Sequence, residues 1–213
     1  MIEKYRKVCI HEASHLVFSR ILKQLNVDFP DSKSVQIVNE EQGWTVGGML
    51  NQTNTPIAYR QRKELEEKSL EIKLFQIIYS ISGYISSQLF IDESFDECEL
   101  ENFQTSDLAM PSDLEKCNLV ASMISDTNGA IFINEPNLII LNKIKIIVQN
   151  IMKEKIIKQT IVKVAEKLCQ AKHTTIEENE MVILLNEIDK GIANCDFEEI
   201  KKQINYEFVV KIS

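Results

Sequence analysis

The sequence predicts a mainly α fold with one small β-hairpin. Long stretches at 3–25, 56–90 and 136–172 carry apolar residues at steps of three and four, the spacing of one helix face. Only two short runs, 34–39 and 44–50, alternate as half-buried strands do. Of the 213 residues, 44% are hydrophobic, and there are just six glycines and four prolines, which argues for an ordered core and against disorder.

The elements follow in chain order. Residues 3–25 read as one helix, with Val8, His11, His15, Phe18 and Leu22 on one face and no Gly or Pro inside. Pro30 and Asp31 mark a loop. Val35 and Ile37 set the first strand, residues 40–43 a turn, and Trp44–Leu50 a second strand weakened by Gly47-Gly48. Asn54-Thr55-Pro56 opens a helix with proline at its first position. This pattern runs to about Phe90 and divides near 67–70, where polar residues give way to apolar ones. Residues 92–105 read as a loop.

Ser112 and Glu115 form a capping box that puts Asp113 at the first helical position, and Asn128-Gly129 ends that helix. One long helix is predicted over 136–172. A second capping box, Thr175 with Glu178, starts a helix ending near Gly191, and Asp196 with Glu199 starts the last one. There is no repeat and no linker, so residues 1–213 read as a single domain.

Charge narrows the function classes. The formal net charge is −8, against the basic excess that a nucleic-acid binder uses to meet phosphates. Residues 92–115 hold nine acids and no Lys or Arg, whereas residues 143–172 hold eight lysines against Glu154 and Glu166. Both runs read first as solvated surface. No stretch is apolar enough for a membrane span. Five cysteines without a C-x-x-C pair argue against a disulfide framework and for a reducing compartment, and no apolar leader is seen, so the expected location is cytoplasmic.

The chemistry concentrates in His11-Glu12-Ala13-Ser14-His15, an H-E-x-x-H segment that uses two of the three histidines. Residues four apart lie one above the other on a helix, so both imidazoles can reach one ion. Zn²⁺ accepts such nitrogen ligands and leaves one position to water. Glu12 is placed to take the proton of that water as it attacks a peptide carbonyl. A third protein ligand is needed. The continuation H-E-x-x-H-x-x-G-x-x-H is excluded, because Phe18 and Ile21 occupy its last two positions. Glu40, Glu41, His173 and Asp113 are the remaining candidates, with Asp107 close to the last.

His11–His15 resembles the H-E-A-G-H of the FtsH-type peptidase, the zinc protease part of membrane-bound AAA+ proteases. Pro111-Ser112-Asp113-Leu114-Glu115-Lys116-Cys117 resembles that family's N-D-L-E-x-A segment. Gln42-Gly43-Trp44-Thr45 is similar to its L-G-Y-T edge strand, residues 82–90 to its G-G-R-A-A-E-E-L-x-F-G helix, and Thr174–Glu178 to its E-T-L-x-x-E helix start. The resemblance spans about residues 4–190. Ser14 stands where the family has Gly, and Tyr84, Ser86 and Ser87 replace its R-A-A.

The resemblance implies a zincin-like peptidase fold, zinc held by His11, His15 and Asp113, and Glu12 as catalytic base. It implies a polypeptide substrate paired to the Trp44–Leu50 edge strand. It also implies a homo-oligomer, since the family's peptidase domains form a ring. No G-x-x-x-x-G-K-[ST] motif is present, so cleavage of unfolded or flexible polypeptides is expected without ATP. Two alternatives are a peptide-binding or regulatory module that keeps the fold, and a peptidase subunit docking on a separate ATPase.

Overall fold

A computed structural model describes residues 2–50, 56–90, 113–127 and 137–209. The elements in order are α1 (Ile2–Leu25), β1 (Ser34–Ile37), β2 (Gly43–Val46), α2 (Pro56–Glu66) and α3 (Leu70–Leu89). They continue with α4 (Asp113–Thr127), α5 (Asn137–Lys153), α6 (Lys155–Gln170), β3 (Thr175–Glu177), α7 (Glu178–Ile192) and α8 (Phe197–Val209). The mainly helical expectation with a small sheet agrees with this architecture. No helix among the described residues is long and apolar enough to cross a membrane.

Helix α1 is the centre of the molecule. Of residues 8–19, only His11 is not fully buried. A helix buried on every side is a core helix, and α1 packs against α3, α6, α7 and α8 as well as β1 and β2. Small residues of α3 meet it there: Gly83 lies against the His11 and His15 rings, and Ser86 Oγ is 3.5 Å from Ile10 O. The buried hydroxyls need no outside partner. Ser14 donates to Ile10 O at 2.9 Å, Ser82 to Tyr79 O at 2.7 Å and Ser86 to Gly83 O at 2.9 Å. Bonding back to the preceding turn satisfies a hydroxyl inside an apolar interface.

The two-strand hairpin is present, and its turn is built by Asn39. Its Oδ1 accepts from the backbone N–H of Glu41 and of Gln42, each at 2.8 Å, an Asx-type turn. The register pairs Ser34 with Val46 and Ile37 with Gly43. The second strand is shorter than the predicted 44–50. It ends at Val46, because Gly48 takes φ +65° and swings the chain toward α3. There Gln76 Oε1 accepts from Met49 N–H at 2.6 Å.

The sheet has a third strand, in order β2-β1-β3, that replaces one predicted feature. Thr175 is not a capping residue; it pairs with Gln36 as part of β3. Helix α7 starts directly after it without a side-chain cap at Glu177. The pairing joins segments 140 residues apart, which local spacing does not register. His173 extends the same pairing: its backbone N–H donates to Ile37 O at 2.8 Å and its Nδ1–H to Val38 O at 2.9 Å.

The division between α2 and α3 falls where it was expected, with Ser69 capping α3 by accepting from Ile72 N–H at 3.4 Å. The single helix predicted over 136–172 is two. Glu154 leaves the helical region with φ −59° and ψ 120°, so α6 folds back to pack on α5. No Gly or Pro marks the break; packing of both apolar faces against the core sets it. Helix α4 begins at Asp113 and α8 after Asp196, whose Oδ1 accepts from Glu199 N–H at 2.9 Å. Ser112, Asn128, Gly129 and the 92–105 segment lie outside the described residues.

The cysteine expectation needs correction. Cys9 of α1 and Cys169 of α6 form a disulfide, with Cα atoms 5.9 Å apart, within the span such a bond allows. The α1–α6 packing brings them together across 160 residues of sequence. Since such bonds are rare in a reducing compartment, cysteine usage no longer supports a cytoplasmic location.

Candidate metal centre

Helix α1 carries the first two groups of the site. His11 and His15, one turn apart, direct both Nε2 atoms to the same point, 3.1 Å from each other. Asp113, at the first position of α4, brings Oδ2 to 2.9 Å from His11 Nε2 and 3.1 Å from His15 Nε2. Two packing contacts position that carboxylate. Helix α4 lies against α3, and the buried Cys117 thiol donates to Ile77 O at 3.7 Å. Lys116 donates to the second oxygen, Asp113 Oδ1, at 3.1 Å.

The donor chemistry fits a cation. His15 Nδ1–H donates to the Tyr79 carbonyl at 2.9 Å. That bond leaves Nε2 as the lone-pair nitrogen, the form that binds metal. Its lone pair then faces a carboxylate oxygen and a second imidazole nitrogen, an arrangement that a cation between them relieves. Ligand atoms around a tetrahedral zinc stand ~3.3 Å apart, close to the separations found here. Among the described residues, His11, His15 and Asp113 are the one group of three such side chains able to hold a metal ion.

The charges agree with the geometry. Burial opposes protonation of His11, but the Asp113 hydrogen bond and the charges of Glu12 and Asp113 outweigh it and raise its pKa. Burial alone would raise the pKa of Asp113. The charge of Lys116, and after it the His15 and His11 imidazoles when they are protonated and no metal is bound, hold it well below the usual carboxylate range. The carboxylate is therefore ionised and available as a ligand.

Glu12 is 4% exposed and sits beside the group. Thr45 Oγ1 donates to its Oε2 at 2.7 Å, tying it to β2. His11 and Glu12 both line a cleft of about 490 Å³ that also touches Val8, Gly43, Glu40 and Glu41. The last two stand on the cleft wall and are not part of the three-residue group. His173 is likewise elsewhere, just before β3 and bonded to the end of β1, and Asp107 lies outside the described residues.

Sequence reasoning assigned no role to Gly83, Tyr79, Thr45 or Lys116. Gly83 is the tightest of these. A Cβ there would stand 2.5 Å from His15 Nε2 and 2.7 Å from His11 Nε2, so α3 can lie against the imidazoles only with glycine at this position. The Tyr79 carbonyl on the same helix orients His15. The signal for Gly83 was a lone glycine inside an apolar helical run, which marks close approach.

Fold and site together define a mainly helical protein with a His-His-Asp group able to hold a metal ion at the wall of an open cleft. Compared with known proteins, the chain matches no family model, no curated protein sequence and no solved structure.

Proposed function

We propose that this chain is a zinc metallopeptidase that hydrolyses peptide bonds in unfolded or flexible polypeptides. One observation carries the reading: Nε2 of His11, Nε2 of His15 and Oδ2 of Asp113 converge within 2.9–3.1 Å of one another, beside Glu12 and a cleft. The resemblance of the same residues to the FtsH-type peptidase supports it. His11, His15 and Asp113 would hold the ion. Bound there, zinc supplies a Lewis acid that polarises the scissile carbonyl and makes water acidic.

Glu12 is the general base of the proposal. Thr45 holds its Oε2, and Oε1 receives the proton of the attacking water, then passes it to the departing amine. Among the described residues strand β2 has β1 on one side only, so its other edge can accept an extended polypeptide. Gly43 of that strand lines the cleft, which leads the paired backbone past Glu12. Only an unfolded or flexible segment can be laid along a strand edge, and this sets the substrate class. No step on this chain requires ATP.

The test incubates zinc-loaded protein with an unfolded polypeptide and measures new amino termini, beside Glu12→Gln and metal-free protein. Cleavage by the wild type alone is expected, with Glu12→Gln slowed about 10²–10⁴-fold while keeping its zinc. Equal rates for both remove Glu12 from the mechanism. Zinc-loaded wild type that does not cut leaves a peptide-binding module with a metal site.

A further inference from the structure

Lys116 occupies a place that ordinary helix electrostatics disfavours. It lies in the first turn of α4, where unpaired backbone N–H groups make a cation unfavourable. Its side chain is only 15% exposed, so it is not a solvated surface lysine. It also stands beside a group that would hold a second cation. Its ammonium is satisfied by one contact that bears on the site, a 3.1 Å hydrogen bond to Asp113 Oδ1.

The two oxygens of Asp113 are thus divided between two tasks. Oδ2 faces both imidazole nitrogens, and Oδ1 faces Lys116. A carboxylate free to rotate can present either oxygen or both to an ion. One whose second oxygen is engaged by an ammonium presents a single oxygen in a fixed direction. Partners of this kind orient metal ligands, and three residues along a helix is the spacing that lets such a pair meet.

We propose that Lys116 is a positioning residue that holds Asp113 as a one-oxygen ligand. This rests on the metal-centre reading above. The lysine acts through the carboxylate and touches neither substrate nor water in the reaction. Its charge opposes the bound cation, so its net effect on affinity separates orientation from simple repulsion.

The experiment measures zinc affinity by competition with a chromophoric chelator for the wild type, Lys116→Met and Lys116→Arg, with circular dichroism to confirm folding. Cobalt-substituted protein supplies a second readout, since its visible absorption reports how many ligand atoms surround the ion. Lys116→Met is expected to bind zinc about 10–100-fold more weakly and to change the cobalt spectrum, and Lys116→Arg to restore both. Equal or tighter zinc binding by Lys116→Met, with an unchanged cobalt spectrum, overturns the positioning role and leaves the metal centre standing. A folded wild type that takes up neither ion overturns both.

Discussion

Gly83 lies so close to His15 that a Cβ would come within 2.5 Å of its Nε2. The contact joins the middle of α3 to the edge of α1 that carries His11 and His15. Replacing a helix-interior glycine by alanine normally adds about 0.5–1 kcal/mol of stability. Here the added methyl displaces the imidazoles. Gly83→Ala is therefore expected to lose stoichiometric zinc while retaining helical content. Metal analysis by mass spectrometry and a far-ultraviolet spectrum check both halves, and full zinc occupancy in the variant contradicts the geometry.

Thr45 tests a different link, between the edge strand and the base. Its hydroxyl donates to Glu12 Oε2 at 2.7 Å. Thr45→Val keeps the β-branched shape and removes only the donor. Zinc content should be unchanged, and peptide cleavage should fall by roughly 10- to 150-fold, since one hydrogen bond to a charged group is worth roughly 1.5–3 kcal/mol. Unaltered kcat/KM shows that β2 does not orient Glu12.

The pH dependence of stability should reverse when metal binds. In metal-free protein the His11 pKa is raised, so its protonated form contributes stability that is complete below the ordinary value of 6.5 and fades as pH rises through the raised value. Asp113 is held low, so its contribution is present above the ordinary 3.8 and is lost as pH falls through the lowered value. Zinc needs both imidazoles unprotonated. The gain in Tm on adding zinc should therefore grow from about pH 5 to about pH 8. A gain that is flat or shrinks across this range argues against the two histidines as ligands.

Arg20 holds α1 to its surroundings on the side away from His11 and His15. Its Nε and Nη2 donate to the two oxygens of Asp189 at 2.8 and 2.6 Å, and Nη1 reaches Asp31. Arg20 is largely buried, so the pairs exceed ordinary surface ion pairs. Arg20→Met should cost about 1.5–3 kcal/mol in urea unfolding and leave zinc affinity unchanged. Loss of zinc binding in folded Arg20→Met shows that this anchor also sets the ligand geometry.

The site was legible in unequal parts. His11, Glu12 and His15 follow from spacing, because four residues on a helix bring two side chains to one face. Asp113 is 98 residues from His15, and no periodicity connects them; it was reached through resemblance to a known segment. Gly83 and Tyr79 lie 64–72 residues from the two histidines, and their roles are contacts made across the α1–α3 interface.

The fold divides the same way. The sequence by itself determined the helical stretches, the β1–β2 hairpin, the division at Ser69 and the start of α8. Each rests on a period, a cap or a turn residue within a few positions. Only the tertiary structure decided the break at Glu154, the pairing of Thr175–Glu177 with β1 and the Cys9–Cys169 bond. Tertiary structure also decided the division of the Asp113 oxygens between the imidazoles and Lys116. These features depend on which surfaces of distant segments are buried together, and that is set by packing around α1 and not by any local pattern.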